Sequence, residues 1–136
     1  MLRRIDDTIF VAGQIWPDDM DALKAQGIVA IVNNRPDGEE SGQPSSAEME
    51  AAARKAGLAY LHVPVASGFS APQVAAMAEA LEGADGPVLA FCRSGTRSTF
   101  LWALARAQKG DAAEDLMHKA EAAGYDLGPI RMFLQR

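Results

Sequence analysis

Residues 87–104 read PVLAFCRSGTRSTFLWAL. The apolar run Pro87–Phe91 has the continuous hydrophobicity of a strand buried on both faces. A short polar turn with two arginines follows it, and then a helical stretch that runs to Gly110. The single cysteine of the 136 residues stands at the joint. A helix N-terminus carries unpaired N–H groups and the positive end of the helix dipole. An adjacent arginine adds a full charge. Both favour the thiolate, the form of cysteine that acts as a nucleophile. Ser94, Gly95 and Thr96 are small enough to let successive N–H groups turn inward as an anion cradle, and Gly95 suits a positive φ there. Arg97 is placed to close the cradle with a two-pronged contact to an oxyanion. A cation at a helix start is otherwise unfavourable, so a bound anion explains it. The plain alternative for Cys92 is a small buried hydrophobe, against which the polar, glycine-containing loop argues. Arg93 either contacts the anion or points to solvent and raises the local potential. Ser98 is either an ordinary first-turn residue or a hydrogen-bond donor to the thiolate.

Outward from this stretch, strand and helix alternate. A first strand is expected over Thr8–Gly13, a helix over DDMDALKAQG with Asp18 as N-cap and Gly27 as stop, and a strand over Ile28–Asn33. Asn34–Pro44 reads as a loop. Ser45 and Glu48 then have capping-box spacing, as do Ser70 and Gln73, at the heads of two further helices. Between those helices lies a strand over Leu58–Val65. After Gly110, a helix is expected from Asp111 to Gly124 with Glu114 at the box position, and a short helical piece over Gly128–Gln135. Strands separated by helices require crossovers. The expected fold is therefore α/β: one domain over residues 1–136 with three layers, a mostly parallel four-stranded sheet between helices. In such sheets ligands bind beyond the carboxyl ends of the strands. The turns Gly13-Gln14, Asn34–Glu40, Ala66–Phe69 and Cys92–Arg97 should then gather at one edge.

Composition narrows the partners. A net charge of −5 argues against nucleic acid or an anionic membrane surface. No apolar run is long enough to span a bilayer, and MLRRIDDTIF lacks the apolar core of a secretory signal. A lone cysteine forms no internal disulfide, which fits a reducing cytoplasm, and it rules out a multi-cysteine zinc site. No cofactor is implied.

Near the active-site candidate, Arg35 either steers an anionic substrate or pairs with a carboxylate such as Glu39. Asn34 emerges at the same edge and is a candidate for substrate binding. Pro36-Asp37-Gly38 is turn chemistry. His62 should be packed on its strand, His118 should be plain surface, and Leu101 and Trp102 should anchor the helix behind the loop. Trp16 and Phe69 are candidates for the mouth of the pocket.

The loop CRSGTRS resembles the active-site loop shared by cysteine-dependent phosphatases and rhodanese-type sulfurtransferases. VNNRPDGEE, then GQPSS, HVPV and CRSGTRSTFLWAL, resemble in order a bacterial family of phosphatase-like domains. That family occurs alone or fused to a metallo-β-lactamase-like hydrolase and is often labelled a sulfurtransferase. The resemblance covers essentially the whole chain and implies a protein-tyrosine-phosphatase-like fold with its active site at Cys92. It also brings a metallo-β-lactamase-like hydrolase, or a thiol acceptor, into view as a partner. Phosphatases of this kind place arginine after five intervening residues; here only four separate Cys92 from Arg97, and Phe91 stands where histidine is common. They also need a general acid for the leaving oxygen. VASGFSAP contains no carboxylate, which leaves Asp37 or Glu39 (with Glu40 beside them) to be recruited. A rhodanese-like cycle expels a good leaving group and needs no strong acid. The preferred expectation is sulfur transfer through a Cys92 persulfide. The alternatives are phosphoester hydrolysis through a phosphocysteine and a non-catalytic oxyanion-binding domain.

Overall fold

The computed structural model describes residues 2–135. Along the chain these form β1 (Leu2–Asp6), β2 (Ile9–Ala12), a 3-10 turn (Pro17–Asp19), α1 (Met20–Ala25), β3 (Ala30–Asn33), α2 (Ser46–Lys55), β4 (Ala59–His62) and α3 (Ala71–Gly83). Then come β5 (Val88–Phe91), α4 (Thr96–Gln108), α5 (Ala113–Ala122), a 3-10 turn (Gly128–Ile130) and α6 (Arg131–Leu134). The sheet order is β1-β2-β5-β3-β4, parallel throughout except for β1, which pairs antiparallel with β2.

The sheet thus has five strands, one more than expected. The extra strand is LRRID, in which only Ile5 is buried while Arg3 and Arg4 face water. Three charged residues in five hide the apolar alternation that marks a strand, and charge on an edge strand also discourages further pairing. Asp6 ends it by accepting hydrogen bonds from the N–H and hydroxyl of Thr8 at 2.8 and 2.6 Å.

Helices cover both faces, as a parallel sheet requires. Along β5, Val88 and Ala90 face one apolar cluster and Leu89 and Phe91 the other. The first cluster is completed by α3, α4, α5 and α6, with Trp102 and Leu101 fully buried in it. The second is completed by Met20 and Leu23 of α1 and by Met49 and Ala53 of α2. Both capping boxes form at the expected residues. Two helix starts differ from expectation. Pro17 opens a 3-10 turn ahead of α1, and Asp19, not Asp18, accepts the Trp16 N–H at 2.8 Å. Further on, α5 begins at Ala113 without a side-chain cap, because Asp111 is drawn back onto Arg106 by two hydrogen bonds of 2.9 and 3.1 Å. Among the described residues no helix is long and apolar enough to cross a membrane.

Candidate active site

The parallel strands end in step. Ala12, Phe91, Asn33 and His62 occupy one row across the sheet. The loops that follow β2, β5, β3 and β4 therefore leave from one edge, as expected. Cys92 follows β5, the central strand, and is buried. Its N–H donates to the Ala12 carbonyl at 3.3 Å, tying the loop to the end of β2. The approach there is close: a Cβ on Gly13 would lie 2.9 Å from the Arg93 carbonyl oxygen.

Gly95 takes φ +90° and ψ −11°, the left-handed conformation that the loop needs before α4 can start. In this conformation its N–H points at Cys92 Sγ, 3.1 Å away. The Gly95 carbonyl is held by the N–H and hydroxyl of Thr99 at 3.0 and 2.8 Å. The positive end of α4 thus faces the thiol, as the residue pattern led one to expect.

Arg97 reaches back over the loop, yet its fork is already filled. It donates to the two carboxylate oxygens of Glu39 at 2.7 and 2.9 Å, and to the Val65 carbonyl at 2.6 Å. Glu39 also accepts from Arg35 Nε at 2.9 Å. Arg97 above all, with Arg35 behind it, holds the Glu39 carboxyl down at about 2 against the opposing effect of burial. Arg97 is pushed up in turn, first by Glu39 and, after the opposing effect of burial, by the nearby Cys92. Glu39 is therefore an anion at neutral pH.

Arg35 is 1% exposed, and the pairing alternative is the one observed. Besides Glu39 it binds Gln14 at 2.8 Å and Glu40 at 3.2 Å. His62 meets the Arg35 carbonyl at 2.9 Å, so this histidine is a packed strand residue. Arg93 is 69% exposed at its side chain and lies 3.7 Å from Glu40, outside the cradle. Asn34 and Ser98 clip β3's loop to α4: Ser98 donates to Asn34 at 2.8 Å, and Asn34 donates to the Val63 carbonyl at 2.9 Å. Ser98 thus bonds Asn34 and not Cys92 Sγ. Ser94 donates to Thr96 at 3.1 Å, at the exposed lip of the loop. Asp37 accepts the Ser46 N–H at 2.7 Å at the start of α2 and is not brought over Cys92. Phe69 packs edge-on against Phe100, whereas Trp16 is half-exposed on the 3-10 turn before α1.

Two contributors went unread in the sequence. Gln14 braces Arg35, and Tyr125 donates to the Ser94 carbonyl at 3.1 Å. Tyr125 lies far along the chain in a segment with no motif; only its place after the Gly124 stop signal marks where it would turn back.

A cysteine at a strand end, the Gly95 N–H aimed at its sulfur from a helix start and an arginine on that helix fit the class of cysteine-centred phosphatase-like domains. The chain belongs to the family described as "Beta-lactamase hydrolase-like protein, phosphatase-like domain", which matches residues 1–109. It is 36% identical over 135 residues to a beta-lactamase hydrolase-like protein of Agrobacterium fabrum, covering 98% of this chain and 31% of that one. A relative of the same description from Xylella fastidiosa strain 9a5c is 38% identical over 137 residues, covering 97% of this chain and 31% of its own. The chain thus spans about a third of the length of these relatives. Among solved structures, a phosphatase candidate from Neisseria meningitidis Z2491 superposes with a TM-score of 0.83 at 32% identity, covering 97% and 94% of the two chains. PTPMT1 shares the fold, with a TM-score of 0.74 at 15% identity over 98% and 94%.

Proposed function

We propose that this domain carries sulfane sulfur on Cys92. The observation behind this reading is the state of Glu39. It is the carboxylate nearest the loop's arginine, and two arginines hold it ionised, with its carboxyl at about 2. A phosphoester needs a proton delivered to its leaving oxygen, and Glu39 has none to give at neutral pH. Sulfur transfer needs none. The Cys92 thiolate attacks the outer sulfur of thiosulfate, an S–S bond forms, the S–S bond of the donor breaks, and sulfite leaves with the electron pair. The persulfide keeps one negative charge beside the Gly95 N–H and the start of α4. An acceptor thiolate then attacks the terminal sulfur and regenerates the Cys92 thiolate. The short spacing between Cys92 and Arg97 suits the smaller adduct. The acceptor in this reading is a low-molecular-weight thiol or a metallo-β-lactamase-like hydrolase. A persulfide carrier with one cysteine suits a reducing compartment.

Intact-mass measurement tests this. After incubation with thiosulfate or glutathione persulfide, the protein gains one sulfur atom. Cys92→Ser gains none, and cyanide removes the added mass. If no sulfur is acquired while phosphate or sulfate still binds, the reading is wrong. Phosphoester hydrolysis is the second reading, favoured by the phosphatase-like fold of the relatives. It would place the phosphoryl group on Cys92 and draw the leaving-group proton from another donor.

Glu39→Gln bears on both readings. Removing one negative charge leaves the Arg97 fork free for an anion, so sulfate binds about tenfold more tightly, within the range for a charge-assisted hydrogen bond. Weaker sulfate binding in this variant would mean that Glu39 only orients Arg97. Acid stability changes as well. Because the folded-state value of Glu39 lies below its ordinary 4.5, its contribution is complete above that pH and is lost as pH falls towards about 2. Glu39→Gln should flatten the stability curve in that window, read by urea unfolding at stepped pH.

A further inference from the structure

We propose that Tyr125 is a positioning residue for the nucleophile, acting through a single peptide group. The Ser94 carbonyl and the Gly95 N–H belong to the same peptide plane. Tyr125 donates to the carbonyl end at 3.1 Å, while the N–H end points at Cys92 Sγ, also 3.1 Å away. Rotating that plane turns the N–H away from sulfur and breaks the tyrosine bond in the same motion. The hydroxyl therefore holds the N–H on the Cys92 sulfur without touching the sulfur itself.

The surroundings show a place built for this contact. A Cβ on Gly95 would stand 2.2 Å from Tyr125 Oη, so the loop admits the tyrosine only because residue 95 has no side chain. Tyr125 is itself fixed. Its N–H donates to the Ala120 carbonyl at 2.9 Å at the end of α5, and Arg3 of β1 donates to the Ala123 carbonyl at 3.3 Å. The antiparallel edge strand and the α5 terminus thus set a hydroxyl over a loop about thirty residues earlier in the chain. Burial pushes the phenol above its ordinary value, the opposing pull of Arg3 comes next, and Cys92 adds a smaller rise. The hydroxyl keeps its proton at neutral pH and serves as donor. Among the described residues, the other charged groups around the thiol are Arg97 of α4 with Glu39 bound to it, and Arg93 of the loop.

The inference rests on Cys92 as the nucleophile, but its test requires no sulfur donor. The chain has one cysteine, so thiolate ultraviolet absorbance against pH, with Cys92→Ser as blank, reports that group alone. Tyr125→Phe keeps the ring and its packing and removes only the donor. The midpoint of thiolate formation should move up by about half a unit to one unit relative to the parent, less than the full worth of one hydrogen bond to a charged group because the Gly95 N–H is loosened and not removed. Exchange of the Gly95 amide proton should quicken as the peptide is released, a readout that does not depend on the titration. Tyr125→Leu should give the same shift as Tyr125→Phe. A titration curve and a Gly95 exchange rate that both superpose on the parent's would overturn the proposal. Sulfur uptake by the parent is measured separately: its absence would sink the sulfur-transfer reading and leave the Tyr125 result standing.

Discussion

Arg35→Ala should lower the unfolding free energy by about 2–4 kcal/mol, one of the two largest effects expected in the molecule. Breaking a fully buried pair costs about 3–5 kcal/mol. Here Glu39 and Glu40 keep 26% and 53% of their side-chain surface in water and recover part of that loss by hydration. What remains is the burial of Arg35 itself, 1% exposed and among the largest fully buried side chains. Its removal leaves a cavity beneath the loop after β3 and strands Gln14, its partner at 2.8 Å. Arg35→Lys should recover little, because an ammonium cannot serve Glu39, Glu40 and Gln14 from three edges of one plane. Urea unfolding would show the change as a lower midpoint with an unchanged slope. A midpoint within experimental scatter of the parent's would mean that Arg35 is held by the site and does not support it.

Arg35 also marks the limit of what residue patterns convey. An arginine after a strand at the ligand edge is equally consistent with a substrate contact and with a brace, and only the burial of its guanidinium separates the two. The strand–cysteine–glycine–helix unit was legible because each part is local: five apolar residues, a turn that needs positive φ, and a helix with its own apolar face. Both capping boxes were legible for the same reason, since donor and acceptor lie three residues apart. The edge strand was not, because its stability comes from the partner β2 and its own residues are largely charged. Nor was the Glu39–Arg97 pair, which joins residues 58 positions apart and engages the arginine that the residue pattern assigns to an oxyanion. Tyr125 is the extreme case: its role depends on where α5 ends and on a glycine thirty residues away.

On the sulfur-transfer reading, Gly95→Ala should be the most damaging single change short of losing Cys92 itself, with sulfur uptake falling about 100-fold, the loss typical of removing one preorganised donor from a reacting anion. Two physical terms act together. A residue with a Cβ resists φ +90° by about 1–2 kcal/mol. The added methyl would also sit 2.2 Å from Tyr125 Oη and 3.3 Å from the Ala12 carbonyl oxygen, so the tyrosine must swing out and release the Ser94 carbonyl. The expected loss of folding stability is about 2–3 kcal/mol, combining that backbone term with about 1 kcal/mol for the lost hydrogen bond. A double variant tells the two terms apart. In Gly95→Ala/Tyr125→Ala the tyrosine bond is lost once, whereas each single variant loses it separately, so the combined loss should fall short of the sum of the single losses by about 1 kcal/mol. The activity of the double variant should still stay low, because relieving the clash does not return the hydroxyl that holds the peptide. Strict additivity in stability would show that the tyrosine contact is not what residue 95 must accommodate. Recovery of sulfur uptake in the double variant would show that the peptide needs no hydroxyl to keep its N–H on Cys92.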